Sequence, residues 1–198
     1  MDVEPERAHG LAFPMVWRDG HDKENAMDMN LTELIRDIPD FPVPGILFRD
    51  ITTLLKEGPA FVQVVDQLGE KLAGLEVDKV VAIESRGFIF GAPIAYKLKA
   101  GFVPVRKLGK LPADTITAEY DLEYGTNTVE MHRDAIKPGE NVVIVDDLLA
   151  TGGTTRATIE LVEQLGGEIT ALAFLIELTE LGAREYLEGY KIVTLIRY

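Results

Sequence analysis

The run Val142-Val143-Ile144-Val145-Asp146-Asp147-Leu148-Leu149-Ala150-Thr151-Gly152-Gly153-Thr154 is the most informative stretch of the chain. Four consecutive branched apolar residues predict a strand buried on both faces, which is the habit of parallel sheets. Two adjacent carboxylates stand at its carboxyl end, where burial without partners is costly. Small residues and two glycines come next, and a helix is expected from Thr154 to Leu165. Glycine lets the main chain approach a ligand closely and adopt positive φ, so successive amides can converge on an anion. The positive end of the helix dipole then adds to them.

Outward from this run, short apolar strands alternate with helices. Strands are expected at Lys79–Ile83, Phe102–Arg106, Asn141–Val145, Ile169–Ile176 and Ile192–Ile196. Pro59 near a first turn and Gly74 past the end bracket a helix with Phe61, Val64, Val65, Leu68 and Leu72 on one face. Further helices are expected from Gly87 to about Lys99 and from Glu180 to Leu187. Asn30 with Glu33 forms a capping-box pattern that predicts a short helix, Leu31 to Asp37. The prolines of Pro39-Asp40-Phe41-Pro42-Val43-Pro44-Gly45 exclude helix and predict a stiff loop. Period-two alternation around Tyr120, Leu122 and Tyr124 predicts a β-ribbon across Glu119–Met131. The sum is an α/β fold, a mainly parallel twisted sheet flanked by helices, with ligands beyond the carboxyl ends of its strands.

The 198 residues suit one domain with an appendage. Apolar residues make up 46% and charged residues 27%, enough for a genuine core. A net charge of −13 argues against binding nucleic acid or an anionic membrane, both of which need excess Lys and Arg. There is no Cys, which excludes disulfides and thiolate nucleophiles and fits a cytoplasmic protein. Of three His residues, only His132 lies in the body, so multi-His zinc sites are excluded. Chemistry must rest on carboxylates, cations, main-chain amides and a hard metal such as magnesium. No apolar run approaches the ~18 residues of a membrane span. Residues 1–29 are acidic, aperiodic and broken by Pro and Gly. They read as a flexible extension or as sequence upstream of a true start at Met27 or Met29, with Trp17 packed on the body as the rival reading. The domain is then residues 30–198.

Acids repel an anion, so Asp146 and Asp147 should face vicinal sugar hydroxyls, a magnesium ion, or both. A ribose 5-phosphate satisfies the whole run, with hydroxyls on the acids and the phosphate on Ala150, Thr151, Gly152, Gly153 and Thr154. The loop is neither a Walker A nor a dinucleotide fingerprint. In these residues the chain resembles the type I phosphoribosyltransferases, and the Asp-Asp-Leu-Leu-Ala-Thr-Gly-Gly-Thr wording resembles their adenine-using branch. That resemblance implies the type I phosphoribosyltransferase fold, with a small hood and a mobile ribbon or lid.

The same resemblance implies roles elsewhere. In Phe41-Pro42-Val43-Pro44-Gly45-Ile46-Leu47-Phe48-Arg49-Asp50-Ile51, main-chain groups of Leu47 and Arg49 would meet the purine edge while Phe48 covers its face. Glu84-Ser85-Arg86-Gly87 would take pyrophosphate through Ser85 and Arg86, with a cis peptide at Ser85–Arg86. Arg106, Lys107 and Lys110 would share the pyrophosphate, and Leu111–Ala118 would be a mobile lid. Glu123 would be the general acid near adenine N7, with Arg86 assisting catalysis at the leaving group. The implied activity is purine salvage: adenine and phosphoribosyl pyrophosphate give AMP and pyrophosphate with Mg2+, in a cytoplasmic homodimer. Rivals are a transferase for another nucleobase, a non-catalytic sensor of phosphoribosyl pyrophosphate, and a flavodoxin-like binding domain, which leaves the paired acids unexplained.

Overall fold

The computed structural model describes residues 29–121 and 125–198. The expectations for residues 1–28 and for Leu122 to Tyr124, Glu123 included, lie outside the described residues. Met29, grouped by its sequence with the extension, belongs to the body: its amide and carbonyl bind the side chain of Gln63 at 2.9 and 3.0 Å.

The main sheet has seven strands in the order β5-β6-β4-β3-β7-β8-β9. Its strands are β3 (Lys79–Ile83), β4 (Gly101–Lys107), β5 (Thr115–Asp121), β6 (Thr126–His132), β7 (Asn141–Leu149), β8 (Glu168–Glu177) and β9 (Ile192–Arg197). All pairings from β4 across to β9 are parallel, and β6 pairs antiparallel with β4 and β5. A separate antiparallel pair, β1 (Arg36–Pro39) with β2 (Leu47–Asp50), forms the hood.

Helices α1 (Thr52–Leu55), α2 (Gly58–Leu72) and α3 (Gly87–Leu98) cover one face. Helix α4 (Gly153–Gln164) and the short α5 (Ala183–Tyr186) cover the other. Val142 to Val145 are fully buried, odd residues packing into one core layer and even residues into the other. This is the two-sided burial that their sequence demands. Helix α2 buries Val64, Val65, Leu68 and Leu72 as its apolar stripe predicts.

Four expectations are corrected. The helix expected at Leu31–Asp37 is only a 3-10 turn, Leu31–Leu34, with Asn30 capping Thr32. From Arg36 the chain enters β1, because the hood ladder is fixed by the ion pairs Arg36–Asp50 and Arg49–Asp37. The strand expected to stop at Val145 runs on to Leu149, since its parallel ladder with β8 continues to Leu149↔Glu177. The acids therefore sit in the last part of the strand, not after it. Thr115 to Ala118, expected within a lid loop, are in β5, held by the ladder to β6 with Ile116 and Ala118 buried. Finally, the helix expected at Glu180–Leu187 is a 3-10 turn, Thr179–Leu181, followed by α5. Gly182 between them has φ +68 and breaks a continuous helix.

Candidate active site

In an open parallel sheet, ligands bind where successive crossovers diverge, outside the carboxyl ends of the strands. Here the chain leaves β3 for β4 on one side, and β7 lies on the other. The end of β3 carries Glu84, Ser85 and Arg86, and the end of β7 carries Asp146 and Asp147. The two groups meet: Arg86 Nε lies 2.9 Å from Asp147 Oδ2. The approach depends on Gly87. A Cβ there would fall 2.8 Å from the Val145 carbonyl oxygen and 2.9 Å from Asp146 Oδ1.

The paired acids are under strain. Burial raises the proton affinity of Asp146 well above the ordinary range, and the charge of Asp147 raises it further. Burial also raises that of Asp147, with Arg86 opposing. Two neighbouring carboxylates in a low-dielectric site resist being ionised together, and a cation or hydroxyls would relieve that. Asp147 accepts the Arg86 guanidinium, while Asp146 accepts the amide of Asp147 at 2.9 Å.

Beyond them, Gly152 adopts φ +88 at the N-cap of α4, a left-handed conformation that a side chain would strain. Among the described residues no side chain caps this helix, so the first-turn amides are not taken by a local acceptor. Thr151 is exposed at the tip and Gly153 and Thr154 are half-buried. Gly152 is backed by Ala183, Tyr186 and Leu187, whose atoms lie 3.2–3.5 Å from where its Cβ would be. Thr151 and Gly153 also wall a cavity of about 510 Å³, shared with Tyr120 and Thr126 of the ribbon, Arg156 of α4 and Tyr186.

The hood lies over Arg86. Phe48 is half-buried, stacks edge-on with Phe41 at 5.1 Å, and has the Arg86 guanidinium 5.4 Å from its ring centre. Leu47 and Arg49 flank it on β2, a strand that among the described residues pairs on one side only. The Arg49 side chain turns away, paired with Asp37 and stacked 3.7 Å from the Tyr198 ring centre. The non-proline cis peptide is Glu84–Ser85, one bond before the expected Ser85–Arg86; Phe41–Pro42 is also cis.

The cationic run after β4 is tied to the same strand end. Arg106 donates to both carboxylate oxygens of Glu84, at 2.9 and 3.3 Å, and the Lys107 amide donates to Glu84 at 3.0 Å. A further Arg106 nitrogen donates to the Lys110 carbonyl at 3.1 Å. The Arg106 hydrogen bond, against burial, holds Glu84 below the usual carboxylate range. Sequence reasoning gives Glu84 no role of its own. A lone acid at a strand end gives no sign of which of several nearby cations it will grip. Phe48, Ser85–Arg86, the Asp pair and the Arg106–Lys110 run are thus brought together in one chain of contacts. Glu123 lies outside the described residues.

Among the described residues no group of three or more His, Asp or Glu side chains could hold a metal by itself. The two adjacent carboxylates, already short of positive charge, suit magnesium, which binds through one or two carboxylates and keeps phosphate and water as its other ligands.

A β3–α3 crossover, an acid pair on β7 and a glycine-led helix start make an α/β site suited to a phosphorylated sugar. Residues 52–195 match the phosphoribosyl transferase domain family. The adenine phosphoribosyltransferase of Carboxydothermus hydrogenoformans is 59% identical over 170 residues, covering 86% of this chain and 100% of that one. That of Roseiflexus castenholzii is 56% identical over 172 residues, 87% of this chain and 100% of the relative. The crystal structure of the Thermoanaerobacter pseudethanolicus adenine phosphoribosyltransferase superposes with a TM-score of 0.83 at 54% identity, over 85% of this chain and 98% of that one. The chain belongs to the adenine phosphoribosyltransferase family.

Proposed function

We propose that this protein transfers the 5-phosphoribosyl group of phosphoribosyl pyrophosphate to adenine in purine salvage, giving AMP and pyrophosphate. The observation that carries the reading is the Asp146–Asp147 pair, two carboxylates with one guanidinium between them, together with an uncapped helix start. Such a site wants hydroxyls on its acids and an anion on its amides, and a ribose 5-phosphate brings both.

In this reading Asp146 and Asp147 hold the ribose hydroxyls, and the amides of Ala150 to Thr154 with the Thr151 and Thr154 hydroxyls hold the 5-phosphate. Ser85, Arg86, Arg106, Lys107 and Lys110 hold the pyrophosphate. Phe48 covers the purine face, and main-chain groups of Leu47 and Arg49 match its edge. Mispaired exocyclic groups there leave buried polar atoms unsatisfied, which is a strong basis for base selection.

Adenine N9 forms its bond to ribose C1 as the bond from C1 to the pyrophosphate oxygen breaks. The bonding pair leaves with pyrophosphate, and the N9 proton passes to a pyrophosphate oxygen or to water. Arg86, Arg106 and Lys107 stabilise the charge that develops on the leaving group. A protonated Glu123 hydrogen-bonds N7 and makes the N9 proton easier to lose as the bond to C1 forms. Magnesium, held through substrate oxygens and by Asp146 or Asp147, supplies charge neutralisation at the phosphates when bound. No protein nucleophile is needed, which suits a chain without Cys. The protein works as a cytoplasmic homodimer in this reading; among the described residues no helix is long and apolar enough to cross a membrane.

The test is incubation with phosphoribosyl pyrophosphate, magnesium and each nucleobase in turn, with the nucleotide product resolved by chromatography. AMP from adenine alone is expected. Product only from guanine or hypoxanthine overturns the base assignment, and no product from any base overturns the transferase in favour of a sensor.

A further inference from the structure

Glu130 is a carboxylate where a carboxylate is expensive. It lies in the middle of β6, opposite Arg106 on one side and Thr117 on the other, with 3% of its surface exposed. Its company explains why it stays. One oxygen accepts the main-chain N–H of Lys110 at 2.7 Å and of Leu111 at 2.8 Å, and the other accepts the Thr115 hydroxyl at 3.5 Å. Burial alone would raise its pKa. The amides of Leu111, Lys110 and Gly109 overcome that and hold it below the usual carboxylate range. Successive amides closing on one carboxylate form an anion nest, filled here from within the protein.

The place of that nest matters. The β4–β6 ladder has its last pair at Lys107↔Val129, so beyond Lys107 the chain leaves the sheet. Among the described residues only the Leu108 amide, donating to the Thr128 carbonyl at 3.2 Å, continues the pairing. The next three residues have no strand to lie against, and Glu130 takes the place of one. From the other side the Arg106 guanidinium holds the Lys110 carbonyl. The segment bearing Lys107 and Lys110 is therefore clamped at its amides by a buried anion and at a carbonyl by a cation.

We propose that Glu130 is a positioning residue for the leaving-group cations: it fixes the main chain of the loop after β4 so that Lys107 and Lys110 are presented to pyrophosphate in one geometry. The inference rests on the proposed assignment of this loop to pyrophosphate. Glu130 acts through the main chain of the loop, which its carboxylate holds. Its effect is to remove, before binding, disorder that binding would otherwise have to remove.

The experiment compares E130A, E130Q and K110A with the parent enzyme. It measures kcat, KM for both substrates, and product inhibition by pyrophosphate and by AMP, with circular dichroism and melting temperature as checks on folding. E130A is expected to weaken pyrophosphate inhibition and raise KM for phosphoribosyl pyrophosphate by about tenfold, the loss of roughly one charge-assisted bond. KM for adenine and inhibition by AMP are expected to move less than about twofold on that scale. E130Q keeps an oxygen that can accept both amides, so it should recover part of the loss, and it carries the test if E130A fails the folding checks. Equal weakening of pyrophosphate and AMP by the Glu130 variants would mean general loosening and would overturn the proposal. So would unchanged pyrophosphate affinity in E130Q and E130A alongside a weakened K110A. If K110A also leaves pyrophosphate affinity unchanged, the assignment of the loop to pyrophosphate is itself at fault.

Discussion

Replacing Gly87 with Ala tests the joint between the two halves of the site with a single methyl group. The added Cβ would sit 2.8 Å from the Val145 carbonyl oxygen, 2.9 Å from Asp146 Oδ1 and 3.2 Å from Asp146 Cα, while ordinary contact begins at 3.4 Å. Two of these three neighbours are backbone held in the parallel ladder to β8, at the point where the ladder to β3 ends, and cannot swing aside as a side chain could. Overpacking of this kind costs about 1–3 kcal/mol. For a chain of this length each kcal/mol lowers the melting temperature by about 2–4 °C, so a fall of roughly 2–12 °C is expected. The strain should relax by moving α3 away from β7, and that carries Arg86 off Asp147. Turnover should therefore fall by an order of magnitude or more, since small misplacements of positioned groups are expensive. Differential scanning fluorimetry and steady-state AMP formation read the two effects. G58A is the control: among the described residues nothing beyond its chain neighbours lies within 4 Å of its Cβ, so it should lower the melting temperature less than G87A does. A G87A enzyme with parental melting temperature and parental kinetics would refute the close approach on which the site is built.

The charges fix three other outcomes. Because the folded state raises the proton affinity of Asp146 and Asp147, it binds more protons than the unfolded chain above the ordinary pKa of 3.8, and stability falls as pH rises through that window. D146N should therefore melt higher than the parent at pH 7.5 without ligand, with the difference closing toward pH 4, and yet be inactive; a lower melting temperature at pH 7.5 would contradict the burial argument. Asp50 behaves oppositely, its pKa lowered from 3.8 to about 2 chiefly by the Arg36 hydrogen bond, so its contribution is present above 3.8 and lost as pH falls toward 2. Arg36 is largely solvent-exposed, so R36M should cost only about 1 kcal/mol at neutral pH and flatten the acid limb of a melting-temperature profile. E123Q should lower turnover by about tenfold or more with little change in KM for phosphoribosyl pyrophosphate, and an unchanged rate in a stopped assay would remove Glu123 as the acid.

The central strand, its acids and the loop after them are legible in the sequence because their residue types admit few other environments. Four buried branched residues need cover on both faces, and Gly152 needs its left-handed turn. The hood defeats a local reading for a physical reason: Leu31 to Asp37 has helical caps, but two ion pairs across β1 and β2 outweigh a short helix that gains little alone. The full length of β7 is hidden because charged residues do not mark a strand, while the partner β8 supplies the ladder that extends it. Glu84 and Glu130 escape notice because their partners are an arginine 22 residues on and backbone amides about 20 residues back. Nothing local announces such pairings.

The carboxylates around the site divide by how well they are satisfied, and the division tracks what each can do. Glu84 and Glu130 are held below the usual range by an arginine and by main-chain amides. Both are committed acceptors, so they can only shape the cationic loop. Asp146 and Asp147 are pushed the other way by burial, with one guanidinium between them. A protein gains no stability by placing two adjacent acids there, whereas a ligand that brings hydroxyls or a cation is rewarded with the relief of that tension. In the proposed function the anion is held after the acids, on amides at the start of α4 that no described side chain caps. A ligand with hydroxyls at one end and phosphate at the other is therefore accepted in one direction only. Reversed, it would set phosphate against Asp146 and leave the helix start bare. On the proposed assignment, orientation of the sugar is decided by backbone and burial before any contact with the base.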